Sequence, residues 1–230
     1  MNIIEKALDQ GRNMLSEHES KLFLKSKGVP VTRSIEIRSQ NELLKTTLEI
    51  GYPLVMKACS PDLSHKTEKG LIHLDIRNDE EAVACWQQLS NQIEGRNAAI
   101  LVQEMIKGQR ELVVGLTRDP QFGPCVMFGL GGIFTEILRD ITFRIAPLEK
   151  KDALEMMTEI RAYKILAAVR GMPAVDLDSL AQILIAVGNI GMEDERVKEI
   201  DINPIILLGE KPIAADALVV LDRKQPARLK

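Results

Sequence analysis

Aromatic residues are scarce in this chain: five Phe, two Tyr and one Trp make up 3% of its 230 residues. Single-stranded nucleic acid is held on stacking platforms and duplexes on basic patches. With 30 Lys and Arg against 33 Asp and Glu, a net charge of −3, the chain has neither signature, and nucleic acid is excluded as a partner. Cysteine is scarce too. Cys59, Cys85 and Cys125 are odd in number, far apart and set among apolar residues. That excludes a disulfide framework or a thiolate metal site and reads as reduced core thiols of an intracellular protein. Long apolar runs are missing: none approaches the roughly 18 residues of a membrane span. The N-terminal MNIIEKALDQGR has no apolar stretch of the kind a signal peptide needs. The expected location is the cytoplasm, with no membrane partner. What is present, 45% hydrophobic and 27% charged residues, suits a globular chain that buries its core in one domain or two joined subdomains.

Helix and strand signals alternate. Ser16 with Glu19 reads as a capping box opening a helix that carries Leu22 and Phe23 and stops at Gly28. Ser39 with Glu42 repeats the signal; Leu43, Leu44 and Leu48 are the expected apolar face of that helix, and Gly51 ends it. Strands are expected near 53–59 and 71–76, then a helix capped by Asn78 with Glu81. The second half opens with a strand at 99–105, followed by strands at 111–117 and 125–128 joined through Asp119-Pro120-Gln121-Phe122-Gly123. Helical periodicity returns at 150–160 and 180–190, and a hairpin turning at 209–212 closes the chain before a polar tail, 223–230.

The stretch YPLVMKACSPDLSHKTEKGL, 52–71, is the most informative. Lys57 shares a strand face with Val55 and Cys59, and the strand leads to the loop Ser64-His65-Lys66-Thr67. A lysine beside loop amides and hydroxyls offers donors to a triphosphate. A histidine there can carry a phosphoryl group as well as hold one. ATP-linked phosphoryl transfer is therefore the leading reading, and replacing Lys57 by Ala is expected to remove nucleotide binding without disturbing the fold. The rival reading is a lysine that snorkels to solvent or pairs with a carboxylate. His18 and His73 read as surface residues, His73 sharing a face with Asp75 opposite Ile72 and Leu74.

Gln103, Glu104 and Met105 end one strand and Glu111 begins the next, an arrangement suited to a hinge that reads an adenine edge and a ribose. Gly129-Leu130-Gly131-Gly132 before Phe134-Thr135-Glu136 allows close approach of backbone to phosphate, and is not the GxGxxG dinucleotide fingerprint. Glu199, Asp201 and Asn203 alternate on one strand face. A turn over 209–212 would pair Leu208 with Ile213 and set Asn203 opposite Leu218 and diagonal to Asp216, about 7–8 Å away. Oxygen ligands in two such rows suit Mg²⁺ with phosphate oxygens.

These motifs together resemble the ATP-grasp superfamily, and more closely the β subunits of NDP-forming acyl-CoA synthetases of the ADP-forming acetyl-CoA synthetase type. The resemblance runs from Glu19 to Asp222. It is carried by P-L-V-x-K-x-x-S-P-x-x-x-H-K-T (53–67), L-V-Q-E-M (101–105), G-L-G-G-I (129–133) with Glu136, and E-I-D-I-N-P (199–204). It implies an α/β fold of α+β type: an N-terminal subdomain over 16–100, a C-terminal one over 101–222 joined by the 1–15 helix, and nucleotide in a cleft between them. It implies a nucleotide site of Lys57 (α/β-phosphates), Gln103, Glu104, Met105, Glu111, Gly131, Gly132 and Glu136. Mg²⁺ would be held by Asn203 and Asp216, with Asp201, and ATP/ADP would be the substrate. His65 would be the catalytic phosphoryl carrier. The partner implied is an α subunit with a CoA-binding domain and the principal phosphohistidine, in an α2β2 assembly. The family loop H-K-T-D-x-G-G reads H-K-T-Glu68-Lys69-Gly70-Leu71 here. A stand-alone ATP-grasp carboxylate ligase and a non-catalytic sensor of a fused acyltransferase are the alternatives; the sensor has no need of His65.

Overall fold

The computed structural model describes residues 2–60, 70–95, 97–132 and 137–222. Helices and strands are mixed, and the chain divides into two compact units, one of Ser16–His18 with Thr32–Ile106 and one of Met1–Leu15, Glu19–Val31 and Lys107–Lys230.

The smaller unit is a four-stranded antiparallel sheet in the order β1 (Ser34–Ile37), β4 (Ala99–Glu104), β2 (Leu54–Cys59), β3 (Ile72–Ile76), backed by α3 (Gln40–Ile50) and α4 (Asp79–Gln92). The strand at 99–104, read from sequence as opening the second half, hydrogen-bonds between β1 and β2 and so is grouped here. Leu54, Met56 and Ala58 of β2 enter a core with Leu43, Ile50, Trp86, Leu89, Ile100 and Val102. Val55, Lys57 and Cys59 turn to the other face and are buried as well. Helix α3 starts where expected, its Ser39 N–H donating to Glu42 Oε2 at 2.9 Å. Its buried stripe, however, is Leu43, Thr46, Thr47 and Ile50, spaced i, i+3, i+4, i+7; Leu44 and Leu48 are exposed, Leu48 by 86%. Thr47 substitutes for an apolar residue because its hydroxyl is satisfied by Leu44 O at 3.0 Å. β3 also departs from simple alternation. Met56 pairs with His73 but Leu54 with Ile76, a slip that takes up Asp75 at φ 57°. The slip turns Leu74 outward and His73 inward. His73 is half-buried with its Nε2 enclosed, and His18 is half-buried too, so neither is the surface residue its position suggests.

The larger unit is built on an antiparallel sheet ordered β10 (Leu218–Leu221), β8 (Val197–Leu208), β5 (Glu111–Asp119), β6 (Gly123–Leu130), β7 (Ile141–Ile145), with β9 (Lys211–Ala214) also on β8. One face carries Leu112, Val114, Leu116, Val126, Phe128, Ile200 and Ile202 into a core under α5 (Lys150–Glu159) and α6 (Leu177–Glu193). α6 lies close because Gly191 has no side chain: a Cβ there would sit 2.6 Å from Leu116 Cδ1. α1 (Ile3–Asp9) and most of α2 (Glu17–Ser26) belong to this core through Ile4, Ala7, Phe23 and Leu24. The segment between them lines β10, with Leu15 N–H on Val219 O and Leu221 N–H on Asn13 O. Of the thiols, Cys59 and Cys85 are buried and Cys125 is half-buried. Among the described residues no helix is long and apolar enough to cross a membrane. The tail 223–230 lies outside them.

Arg110 ties this unit together. It is only 4% exposed, and its guanidinium donates to four carbonyls: Ile165 O (3.0 Å), Ala167 O (3.2 Å), Pro173 O (2.8 Å) and Gly209 O (3.1 Å). Arg110→Ala is expected to lower unfolding free energy by about 3–5 kcal/mol, since buried acceptors lose a charged donor. Urea titration should show a reduced midpoint at unchanged slope; an unmoved midpoint would mean that water replaces the guanidinium without loss.

Candidate active site

In the smaller unit, β2 places Lys57 between β3 and β4, opposite Ile72 and Leu101. Its side chain is 6% exposed, and Nζ lies 2.8 Å from Oε1 of Glu17, whose side chain is 1% exposed. The lysine therefore does have a buried carboxylate partner. Glu17 was hidden in the sequence by the capping signal around it and lies 40 residues away. At the end of β4, Gln103 is buried. Glu104 takes the Arg33 N–H at 2.7 Å and Arg33 Nε at 2.8 Å. Met105 N–H donates to Pro53 O at 3.1 Å. The Glu104 carboxylate and the Met105 amide are thus engaged within the chain. Arg33 carried no signal in the sequence.

In the larger unit the chosen residues converge. Gly131 N–H donates to Glu111 O at 2.9 Å, and Gly132 N–H to Asn203 Oδ1 at 3.0 Å. Both glycine amides are thus engaged within the chain. A Cβ on Gly131 would lie 2.5 Å from Leu112 O, and one on Gly132, at φ 61°, would lie 2.0 Å from Glu111 Oε2. Glycine is needed here for close packing of the β6 end over the β5 start. His65 and Glu136 lie outside the described residues.

The acidic strand pair differs from expectation in register. The turn is tighter than 209–212: Leu208 pairs with Lys211 and Ile206 with Ile213. Ile205 pairs with Ala214, Ala215 N–H donates to Pro204 O, and Asp201 pairs with Leu218. The pairings on the two sides of 215–217 share one register, in which Asn203 is level with Asp216 and not diagonal to it. Along β8 the buried positions change phase, from Ile200 and Ile202 to Ile205 and Leu207. The change falls at a bulge against β5 between Leu112 and Val114. The bulged residues are Asn203 and Pro204; Glu199 and Asp201, which precede them, alternate with Ile200 and Ile202 and lie on the face away from the core.

Asp201 is half-buried. Burial, and then the Glu199 and Asp216 carboxylates, push its pKa up to about 6. Crowded carboxylates beside an amide oxygen are a donor set that a hard divalent cation relieves. Asn203 Oδ1, with two lone pairs, can accept from Gly132 and still ligate. Among the described residues no three His, Cys, Asp or Glu side chains form a metal-binding group. The set fits Mg²⁺ only with Asn203 counted and with water and phosphate oxygens completing the shell.

The pKa has a testable consequence. An acid whose folded pKa lies above its unfolded value of about 3.9 favours folding fully while protonated. That advantage is lost as pH rises from about 4 through 6. In chelator-containing buffer, Asp201→Asn is expected to flatten this part of the pH–stability curve and to gain on the order of 2 kcal/mol at pH 7. Urea unfolding across pH 4–7 measures it; a variant with the wild-type slope contradicts the assignment.

A model of the ATP-grasp domain matches residues 6–221 of the chain. The β subunit of acetate–CoA ligase (ADP-forming) I from Pyrococcus furiosus is 45% identical over 224 residues, covering 95% of this chain and 96% of that one. Acetate–CoA ligase (ADP-forming) I from Archaeoglobus fulgidus is 38% identical over 95% of this chain, which spans 32% of that longer protein. Among solved structures, the Ca. Korarchaeum cryptofilum dinucleotide-forming acetyl-coenzyme A synthetase 1, in complex with coenzyme A and Ca-AMPCP, matches with a TM-score of 0.91 and 41% identity, over 96% of this chain and 98% of that one. The same enzyme with coenzyme A and Mg-AMPPCP, its phosphohistidine segment pointing towards the nucleotide-binding site, matches with a TM-score of 0.85, 41% identity and the same coverage.

Proposed function

The chain belongs to the ATP-grasp family, and from that premise we propose that it is the nucleotide-binding β subunit of an ADP-forming acyl-CoA ligase. The reaction is acyl-CoA + ADP + phosphate ⇌ carboxylic acid + ATP + CoA. The observation that carries this reading is the match to a β subunit over nearly the full length of both chains. The chemistry of the sites is in keeping with it. Lys57 supplies a cation for the α/β-phosphates. Gln103, Glu104 and Met105 lie toward adenine, Glu111 toward the ribose, and Gly131, Gly132 and Glu136 complete the nucleotide site. Asn203, Asp216 and Asp201 would hold Mg²⁺, which supplies neutralisation of phosphate charge. His65 accepts the phosphoryl group from a phosphohistidine on an α partner and passes it to ADP. That partner carries the CoA-binding domain, the complex is an α2β2 assembly, and it operates in the cytoplasm.

The test is reconstitution with an α-type chain from the same source. Mixed subunits should form ATP from acetyl-CoA, ADP and phosphate, and neither should do so alone. Nucleotide binding without turnover in any such mixture would favour the sensor reading. The metal roles have their own check: Asn203→Ala and Asp216→Ala are expected to weaken binding of Mg²⁺–ATP by about tenfold, and of metal-free ATP much less. Equal losses with and without Mg²⁺ would remove both residues from the metal site.

A further inference from the structure

We propose that Glu17 is a positioning residue for the nucleotide phosphates, acting through Lys57, whose ammonium it holds charged and in place. This rests on the reading that Lys57 meets phosphate. The two side chains belong to the same unit and are 6% and 1% exposed, with Nζ and Oε1 2.8 Å apart. An ammonium buried this deeply stays charged only beside a counter-charge. A lysine stem has four flexible carbons, so a phosphate arriving at an unheld one must also order it. Here both ends of the pair stand on rigid elements. Lys57 is in the middle of β2, paired on both sides. Glu17 is the first residue of α2, where a carboxylate also suits the helix dipole. The pair thus presents a prepaid geometry: the cation is already aimed when nucleotide binds.

The experiment is a double-mutant cycle on the full chain, with ATP and adenosine binding followed by calorimetry and folding by thermal melting. The variants are Glu17→Gln, Lys57→Met and the pair together, the last removing both charges so that none is left buried alone. Glu17→Gln is expected to weaken ATP binding by about tenfold, the size seen when a group that orients a contacting residue is lost. Adenosine, which has no phosphate, should bind as before. In the Lys57→Met background, where the residual affinity is read by ATP protection against thermal unfolding at millimolar nucleotide, Glu17→Gln should cost nothing further. A merely structural role would weaken both ligands, or would add to the Lys57→Met loss, and either result overturns the proposal. So does wild-type ATP affinity in Glu17→Gln when Lys57→Met binds poorly. Wild-type ATP affinity in Lys57→Met is a different failure, that of the phosphate reading itself. Should Glu17→Gln not fold, Glu17→Asp decides: it keeps the charge but withdraws it by one methylene. A loss confined to ATP and absent from the Lys57→Met background supports positioning, and any other pattern refutes it.

Discussion

His65→Ala is expected to bind ATP as the wild type does and to lose ATP formation from acyl-CoA, ADP and phosphate in the reconstituted complex, by roughly 10⁴-fold or more. Phosphoryl transfer requires the reacting atoms to come within about 3–3.5 Å. When the acyl-CoA chemistry and the nucleotide are on different subunits, an intermediate carrier meets that requirement in two steps. Imidazole suits the task because it is largely neutral near pH 7 and nucleophilic at nitrogen. On the proposed relay, a P–N bond would first form on His65 as the bond to the donor histidine breaks. An ADP oxygen would then displace His65, with the imidazole leaving neutral. Ser64, Lys66 and Thr67 next to it in the chain offer hydroxyls and a cation for the phosphorylated ring. The measurement pairs calorimetry with ATP yield. Turnover near the wild-type rate in the variant would end the relay, and the chain would then act as a nucleotide module of another kind.

Lys57→Ala is expected to abolish detectable nucleotide binding and, in the same variant, to lower stability by about 3–5 kcal/mol. The sequence alone leads one to expect an undisturbed fold, because a lysine on a strand usually keeps its head in water. The Glu17 carboxylate changes that expectation. Its side chain is 1% exposed, so removing the ammonium takes away a counter-charge 2.8 Å from a buried carboxylate. Joint replacement of the pair by neutral side chains should recover much of the stability and none of the binding. Urea unfolding separates the two effects. A Lys57→Ala chain as stable as wild type would mean that Glu17 is compensated from elsewhere. One that binds ATP normally would return Lys57 to a purely structural ion pair.

The motifs themselves were legible because they are local. Leu101 to Glu104 alternates between neighbours in a sheet, Ser39 and Glu42 are three residues apart, and Asp119 closes its turn on Gln121 and Phe122, 2.8 and 3.0 Å away. Backbone sterics and side-chain reach over a few residues decide such features. Glycines 131 and 132 belong with them, since clustered glycine signals close approach whatever it is that approaches.

What the chain's own order could not reveal is set by packing over long separations. The Leu43, Thr46, Thr47, Ile50 stripe of α3 won over Leu44 and Leu48 because a helix turns the face that fits its sheet, and two threonines fit. β3 bulges at Asp75 and β8 at Asn203, and one extra residue reverses which side chains face the core. That is why His73 turned inward and why the buried positions of β8 change phase after Ile202; the two-residue turn after Leu208, not the bulge, sets the level of Asn203 against the returning chain. The sequence by itself determined the family, the antiparallel-compatible alternation of elements and the residue types of the candidate site, all written in short motifs. Only the tertiary structure decided that Glu17 holds Lys57, that Arg33 holds Glu104, and that Asp201 is crowded by Glu199 and Asp216. Burial strengthens such charge interactions, and burial is a property of the packed chain that no single segment carries.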